Sequence, residues 1–312
     1  MSKMKPRKDL LDIESLSLEE IEHVLSNAGP FKELFQRSVK KVPTLRGKTV
    51  LSLFYEASTR TSSSFEVAAN RLSADVTNFS VSTSSITKGE SLLDTIETLQ
   101  AMRSDYIVIR HQSAGVPALL AKHTRASVLN AGDGFHAHPT QALLDAFTFR
   151  EKFPDLKGKK IVIVGDILHS RVARSTSTIF QKLGVEVAVL GPSSLVPEGR
   201  PEFMQRLSSW EDVFDWKPDA VYLLRVQLER QNGQFFPGIA EYHRMYGLNS
   251  ERLKVMRERG TYLMHPGPVN RGVEVTDEAM GYEKSLIGTQ VENGIAVRMS
   301  VLHWLKPKTG ME

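Results

Sequence analysis

Cysteine does not occur anywhere in the 312 residues. Its absence excludes disulfides, thiolate catalysis and cysteine-ligated zinc, and the simplest compartment for such a chain is the cytoplasm. No apolar run approaches the length needed to cross a bilayer, so no membrane role is expected. The opening MSKMKPRKDLLDIES is basic, but no apolar h-region follows it, and it does not read as a signal peptide. An excess of one charge is also missing: 40 Lys and Arg stand against 36 Asp and Glu, a net +4. That balance suits small acidic molecules and offers no extended basic face for nucleic acid. There is no short-period repeat. Val164-Gly165-Asp166 follows an apolar run as a dinucleotide turn does, but no G-x-G-x-x-G accompanies it, and a nicotinamide cofactor is not expected.

What is present is an ordinary globular composition, 41% hydrophobic and 24% charged, long enough for two domains. Ser17-Leu18-Glu19-Glu20 has the spacing of a capping box and opens a helix through Leu18, Ile21 and Leu25. Strands are expected at Val50–Phe54, Asp75–Val81, Tyr106–Arg110 and Ala126–Asn130. Between them lie a helix from Phe65, another over Glu90–Met102 and a short one over Pro117–His123. Thr140–Phe153 reads as a long helix leaving this first set. A second set follows Pro154–Lys159, with strands at Lys160–Val164, Glu186–Leu190, Ala220–Leu224 and Thr261–His265. Its helices are expected at Arg171–Leu183, Glu202–Leu207 and Ser250–Arg259. The final stretch Gly294–Leu305 puts Ile295, Met299, Leu302 and Leu305 on one face, a helix suited to pack back on the first domain. Alternation of this kind predicts an α/β fold of two doubly wound parallel-sheet domains, with helices on both faces. The first would span 1–150 with the C-terminal 292–312, the second 151–291.

In such sheets ligands bind beyond the carboxyl ends of the strands. The expected ends are loaded with polar groups. The first strand runs into Ser58-Thr59-Arg60-Thr61-Ser62, four hydroxyls and a guanidinium at the start of a helix. Unpaired N–H groups and the helix dipole make that a place for a phosphate or similar anion; a plain N-cap is the alternative. The second strand leads to a loop with Ser84 and Lys88, the third ends in Arg110, and the fourth leads to His138-Pro139-Thr140-Gln141. Each has an ordinary reading: Lys88 solvated, Arg110 in a salt bridge, His138 capping a helix. In the second half Arg171 opens a helix after Ser170, as a carboxylate ligand or as a surface Arg. Arg225 and Gln227 lie just past a strand. His265-Pro266-Gly267-Pro268 is a rigid segment whose Gly-Pro bond can be cis, or an ordinary turn.

Phe54–Ser62 (FYEASTRTS), His138–Gln141 (HPTQ), Arg225–Gln227 (RVQ) and His265–Pro268 (HPGP) together resemble the aspartate/ornithine carbamoyltransferase family, in order and with suitable spacing from about Leu10 to Leu305. Within it the chain is nearer the aspartate-specific members, because ornithine-specific ones typically carry His-Cys-Leu-Pro where this chain has HPGP. The resemblance implies that Ser58, Thr59, Arg60 and Thr61 form a carbamoyl phosphate loop. Thr61, Arg110 and His138 would polarise the carbamoyl carbonyl, and Gln141 would contact its amide. Ser84 and Lys88 would reach into the site of a neighbouring subunit of a homotrimer, with Lys88 also serving the aspartate side. Arg171, Arg225 and Gln227 would hold the aspartate carboxylates, and backbone carbonyls around Gly267 and Pro268 would orient the amine. Gly267 departs from family members with a larger residue there, at little expected cost since the contact is through backbone.

The implied reaction is carbamoyl transfer from carbamoyl phosphate to L-aspartate, an early step of de novo pyrimidine biosynthesis. It needs no metal, cofactor or covalent nucleophile. The sequence carries no zinc-binding or nucleotide-effector motif, so any allosteric control is expected from a regulatory chain or another pathway enzyme. Another amino acceptor such as ornithine, or a non-catalytic anion-binding module, are the competing readings.

Overall fold

A capping box opens the first helix, α1 (Leu18–Glu33): the Ser17 hydroxyl accepts from Glu20 N–H while the Glu20 carboxylate accepts from Ser17 N–H. This computed structural model describes residues 7–56, 58–80, 96–98, 101–226 and 238–307. The expected positions Ser84, Lys88 and Gln227 lie outside the described residues.

The chain divides into two units. One is Met1–Phe147 with Glu292–Glu312, the other Thr148–Val291. Two helices carry residues of both: α4 (Pro139–Arg150) and the last helix, α10 (Ile287–Trp304).

In the first unit, β1 (Thr49–Phe54), β2 (Asp75–Ser80), β3 (Tyr106–His111) and β4 (Ser127–Asp133) form a parallel sheet in the order β2-β1-β3-β4. Helices α2 (Thr59–Arg71) and α3 (Val116–His123) follow β1 and β3. β1, β3 and the start of β4 are largely apolar and buried because the inside of a parallel sheet is covered on both faces, whereas the edge strand β2 is polar and partly exposed. Leu51, Leu53, Ile107, Ile109 and Val128 pack with Ile96 and Leu120 in this core.

The second unit holds β5 (Lys160–Val164), β6 (Glu186–Leu190), β7 (Met204–Arg206), β8 (Ala220–Leu223) and β9 (Tyr262–Met264), parallel, in the order β7-β6-β5-β8-β9. Its helices are α5 (Arg171–Lys182), α6 (Trp210–Trp216), α7 (Ile239–Tyr246), α8 (Ser250–Arg259) and α9 (Asp277–Met280). Val162, Val164, Trp210, Val221, Leu223, Leu253 and Leu263 lie in its core.

One expected element is wrong. Glu202–Leu207 does not form a helix; Met204–Arg206 is the edge strand β7, paired Val187↔Met204 and Val189↔Arg206. A segment this short cannot recover the cost of helix nucleation, whereas a ready-made sheet edge supplies backbone partners at once. The helix of this region lies further on, at Trp210–Trp216. It is opened by a second capping box, in which Ser209 and Asp212 bond each other's backbone N–H. The fourth strand also outruns its expected end at Asn130. The Asn130 side chain accepts from Gly132 N–H and donates to Asp133, which carries the strand through the glycine.

Candidate functional site

In an open parallel sheet the crevice forms where the strand order reverses, since the connections on either side leave to opposite faces. The first sheet reverses between β1 and β3, and the second between β5 and β8. The residues singled out from sequence follow these four strands, with contributions from the neighbouring β4 and β9.

At the first edge, α2 begins at Thr59, so Arg60 and Thr61 are in its first turn. Thr61 is buried and Arg60 is exposed. The plain N-cap alternative is not realised: the Ser58 side chain makes no cap bond. The Ser62 hydroxyl is spent on the carbonyls of Ser58 and Thr59, at 3.0 and 3.2 Å. Arg110 lies beside Phe54 across the β1–β3 ladder, and its Nε donates to Glu56 at 3.1 Å. The salt bridge foreseen as its ordinary reading is therefore present, and it holds the guanidinium at the sheet edge.

His138 sits at the start of α4, buried, and its main-chain carbonyl accepts from Gln141 and Ala142. Gln141 Nε2 donates to Asp145 Oδ1 at 2.9 Å, one turn deeper in the same helix. Sequence reasoning missed the residue that shapes this turn. Asp133, 1% exposed, ends β4 and accepts from Ala137 N–H, Gly115 N–H and Asn130 Nδ2, with His136 Nδ1 at 3.0 Å. Its own N–H donates to Ala137 C=O. The signal was the Gly132-Asp133-Gly134 triplet, which by itself reads only as a strand terminator.

At the second edge, Gly165 follows β5 with φ +133°, and a Cβ there would come 3.0 Å from the Tyr242 hydroxyl and 3.1 Å from Leu224 Cβ. Only glycine lets the segments after β5 and β8 pass this closely. Asp166 then accepts from His169 N–H, and Ser170 caps α5 by accepting from Ala173 N–H. Arg171 is the first residue of that helix and is 3% exposed, so the surface-Arg reading is overturned. Burial of a guanidinium at a helix start must be matched by anionic or acceptor groups nearby.

Arg225, partly buried, lies two residues past the end of β8. The following residue is fixed by a second group that the sequence reading missed. Glu274, 1% exposed, accepts from Val226 N–H at 2.7 Å through Oε1 and from Asn270 N–H at 2.7 Å through Oε2. Asn270 Nδ2 bridges the two segments, donating to Glu274 Oε1 at 2.8 Å and to Val226 C=O at 3.0 Å. Burial pushes the Glu274 carboxyl up from its ordinary value, against the hydrogen bonds that favour its charged form.

The HPGP segment belongs to the same network. The Gly267–Pro268 bond is cis. Gly267 N–H donates to His265 Nδ1 at 2.9 Å, which puts the imidazole proton of a neutral ring on Nε2, 3.9 Å from Glu274 Oε2. His265 N–H is held by Gln290 Oε1 at 3.0 Å. The backbone of Pro266–Pro268 is thus anchored from both ends by buried side chains.

Comparison with known proteins gives the family. Residues 8–151 match the family model of the aspartate/ornithine carbamoyltransferase carbamoyl-P binding domain, and residues 157–305 match that of the Asp/Orn binding domain. Among similar proteins is the aspartate carbamoyltransferase catalytic subunit of Akkermansia muciniphila, 64% identical over 97% of this chain and 98% of that protein. The catalytic subunit of Endomicrobium trichonymphae is 52% identical over 96% of each. Similar solved structures include aspartate transcarbamoylase of Trypanosoma cruzi in complex with N-(phosphonacetyl)-L-aspartic acid. It has a TM-score of 0.85 and 28% identity, covering 96% of both chains. The catalytic subunit of the M. jannaschii enzyme gives 0.81 and 32%, over 95% of this chain and 97% of that one.

Proposed function

The chain belongs to the aspartate/ornithine carbamoyltransferase family, and from that premise we propose that it transfers the carbamoyl group of carbamoyl phosphate to the α-amine of L-aspartate. The products are N-carbamoyl-L-aspartate and phosphate. The observation that carries the proposal is that both sheets present the residues such a reaction needs at their topological switch points. One edge has hydroxyls, Arg60 and Arg110; the other has Arg171, Arg225 and an anchored HPGP backbone.

The chemistry asks little of the protein beyond position and charge. The amine attacks the carbonyl carbon, the C–O bond to phosphate breaks, and the departing phosphate is itself a base able to take the amine proton. Ser58, Thr59, Arg60 and Thr61 bind the phosphate. Thr61, Arg110 and His138 donate to the carbonyl oxygen as it gains charge, and Gln141 holds the carbamoyl amide. Arg171 and Arg225 take the aspartate carboxylates, while carbonyls at Gly267 and Pro268 direct the amine. Holding two small reactants in register is worth ~7–11 kcal/mol of barrier, and one well-placed oxyanion donor adds roughly 3–4 kcal/mol.

The reading extends to a homotrimer in which Ser84 and Lys88 complete a neighbouring subunit's site, with Gln227 joining Arg225 on aspartate. It places the reaction in the cytoplasm, early in pyrimidine biosynthesis, with a regulatory chain or pathway enzyme as a further partner. The primary test is phosphate release from carbamoyl phosphate across a panel of acceptors. Release with L-aspartate and none with ornithine is expected, and release independent of any amine acceptor would remove the transferase reading. Sharing of sites is tested by mixing inactive Lys88→Ala and Arg60→Ala chains under subunit exchange. Partial recovery of activity is expected, and none despite proven exchange counts against shared sites.

A further inference from the structure

Helix α10 carries a charge where its apolar stripe predicts a hydrophobic residue. Arg298 lies three residues after Ile295 and four before Leu302, and it is 4% exposed. Its Nη1 donates to the Ser64 hydroxyl at 2.9 Å, and its guanidinium carbon stands 5.0 Å from the centre of the Phe65 ring. Asp145, fully buried on α4, is the carboxylate whose charge acts on it. Among the described residues Nε has no hydrogen-bond partner. The helix makes room for the guanidinium: a Cβ at position 294 would come 2.5 Å from Nη1, so Gly294 is the residue that fits.

A buried, incompletely satisfied cation is a poor way to stabilise a core, since apolar residues of similar volume do as well or better. Desolvation lowers its pKa to about 10, so it remains charged at neutral pH. What the guanidinium offers is a rigid planar fork that bonds α2 at Ser64 while its charge answers Asp145 on α4. The places of these groups are informative. Ser64 and Phe65 lie one helical turn behind Arg60 and Thr61 on α2. Asp145 lies one turn behind Gln141 on α4 and accepts that residue's amide at 2.9 Å. Side chains four apart on a helix share a face, so the same cation backs the phosphate-facing turn of one helix and the amide-facing turn of the other.

We propose that Arg298 is a positioning residue that sets the spacing between the Ser58–Thr61 turn and Gln141. It would act through Ser64 and Phe65 on one side and Asp145 on the other. The proposal rests on the carbamoyl phosphate reading of those two segments.

The test uses the whole chain with inorganic phosphate binding, Michaelis constants for both substrates, and the melting midpoint. Arg298→Met keeps length and volume but removes the fork. It should weaken inorganic phosphate binding and raise the carbamoyl phosphate KM on the order of tenfold, as a small misplacement of binding groups does. The aspartate KM, read at saturating carbamoyl phosphate, should move far less. Because Arg298→Met removes the positive charge that offsets buried Asp145, R298M/D145N is the companion variant. The side-chain carbonyl that D145N introduces can still accept the Gln141 amide, so stability should recover while the phosphate defect persists. Arg298→Lys keeps the charge without the fork and should lie between wild type and Arg298→Met.

A folded Arg298→Met or double variant with wild-type phosphate affinity and carbamoyl phosphate KM overturns the positioning role and leaves the pocket reading intact. If neither folds, Arg298→Lys decides in the same way, with unchanged phosphate affinity overturning the role. A wild-type chain that binds no inorganic phosphate overturns the pocket reading itself, and the role of Arg298 with it.

Discussion

At the edge of the four-stranded sheet the presented groups are Arg110 near the end of β3 and side chains on the first turns of α2 and α4, and Asp133 holds the turn before His138 from behind. At the edge of the five-stranded sheet much of what is presented is irregular backbone. There one buried carboxylate, Glu274, ties the residue after Arg225 to the segment after HPGP. The difference follows from what each edge must hold still. A helix satisfies its own backbone beyond the first turn, so the first edge needs only its helix starts placed. In the segments after β8 and β9 the N–H groups of Val226 and Asn270 have no helical carbonyl to bond, and buried N–H groups must find an acceptor. Glu274 supplies one for two segments at once.

The proposed function gives phosphate chemistry to the first edge and carboxylate recognition to the second, and substitutions can break that division. The largest effect is expected from Arg60→Ala. Turnover should fall roughly 10²–10³-fold, as for loss of one preorganised charge donor, with the melting midpoint close to wild type because Arg60 is exposed. Next is Arg225→Ala, which should lower kcat/KM for aspartate roughly 10- to 100-fold, the worth of a hydrogen bond to a charged group. Carbamoyl phosphate binding measured without aspartate should be unchanged. An equal loss for both ligands would erase the distinction between the edges.

Asp133→Ala removes an acceptor for several buried donors. It should lower stability by ~2–3 kcal/mol, raise the carbamoyl phosphate KM through the displaced His138, and leave the aspartate KM near wild type. Thermal unfolding with steady-state kinetics separates these two consequences.

The smallest effect, and the sharpest for the second edge, concerns pH. Burial raises the Glu274 carboxyl above its ordinary value of 4.5. In the window between that value and the folded one, the folded chain binds more protons than the unfolded chain. The group's contribution to stability is therefore complete below 4.5 and is lost as pH rises through the folded value. Glu274→Gln mimics the protonated acid, so across weakly acidic pH the wild-type melting midpoint should fall relative to that of Glu274→Gln as pH increases. A gap that is constant with pH would show that Glu274 does not titrate there.

Alternation of strand and helix was legible because it is written in local periodicity. So were the Ser17 capping box and the clustering of Ser58–Thr61, Arg110, His138 and Gln141 at one edge. Where local signals were short, tertiary pairing prevailed, as at Met204–Arg206, which a neighbouring strand drew into the sheet. The buried state of Arg171 was not legible either, since a guanidinium at a helix start reads the same whether it faces solvent or protein. Arg298 did leave a trace, as a charge within the apolar stripe of the last helix, but the stripe alone could not say what it touched.

By itself the sequence determined the kinds of element, their order, and the residue types gathered at the strand ends, because each depends on neighbours a few positions away. The tertiary structure alone decided strand order, and with it where the switch points fall. It also decided which distant residues stand behind them: Glu274 for the segment after β8, and Arg298 for α2. Those pairings join residues as far apart as Ser64 and Arg298. Contacts across such separations are selected by packing and burial of the whole chain, and no local pattern encodes them.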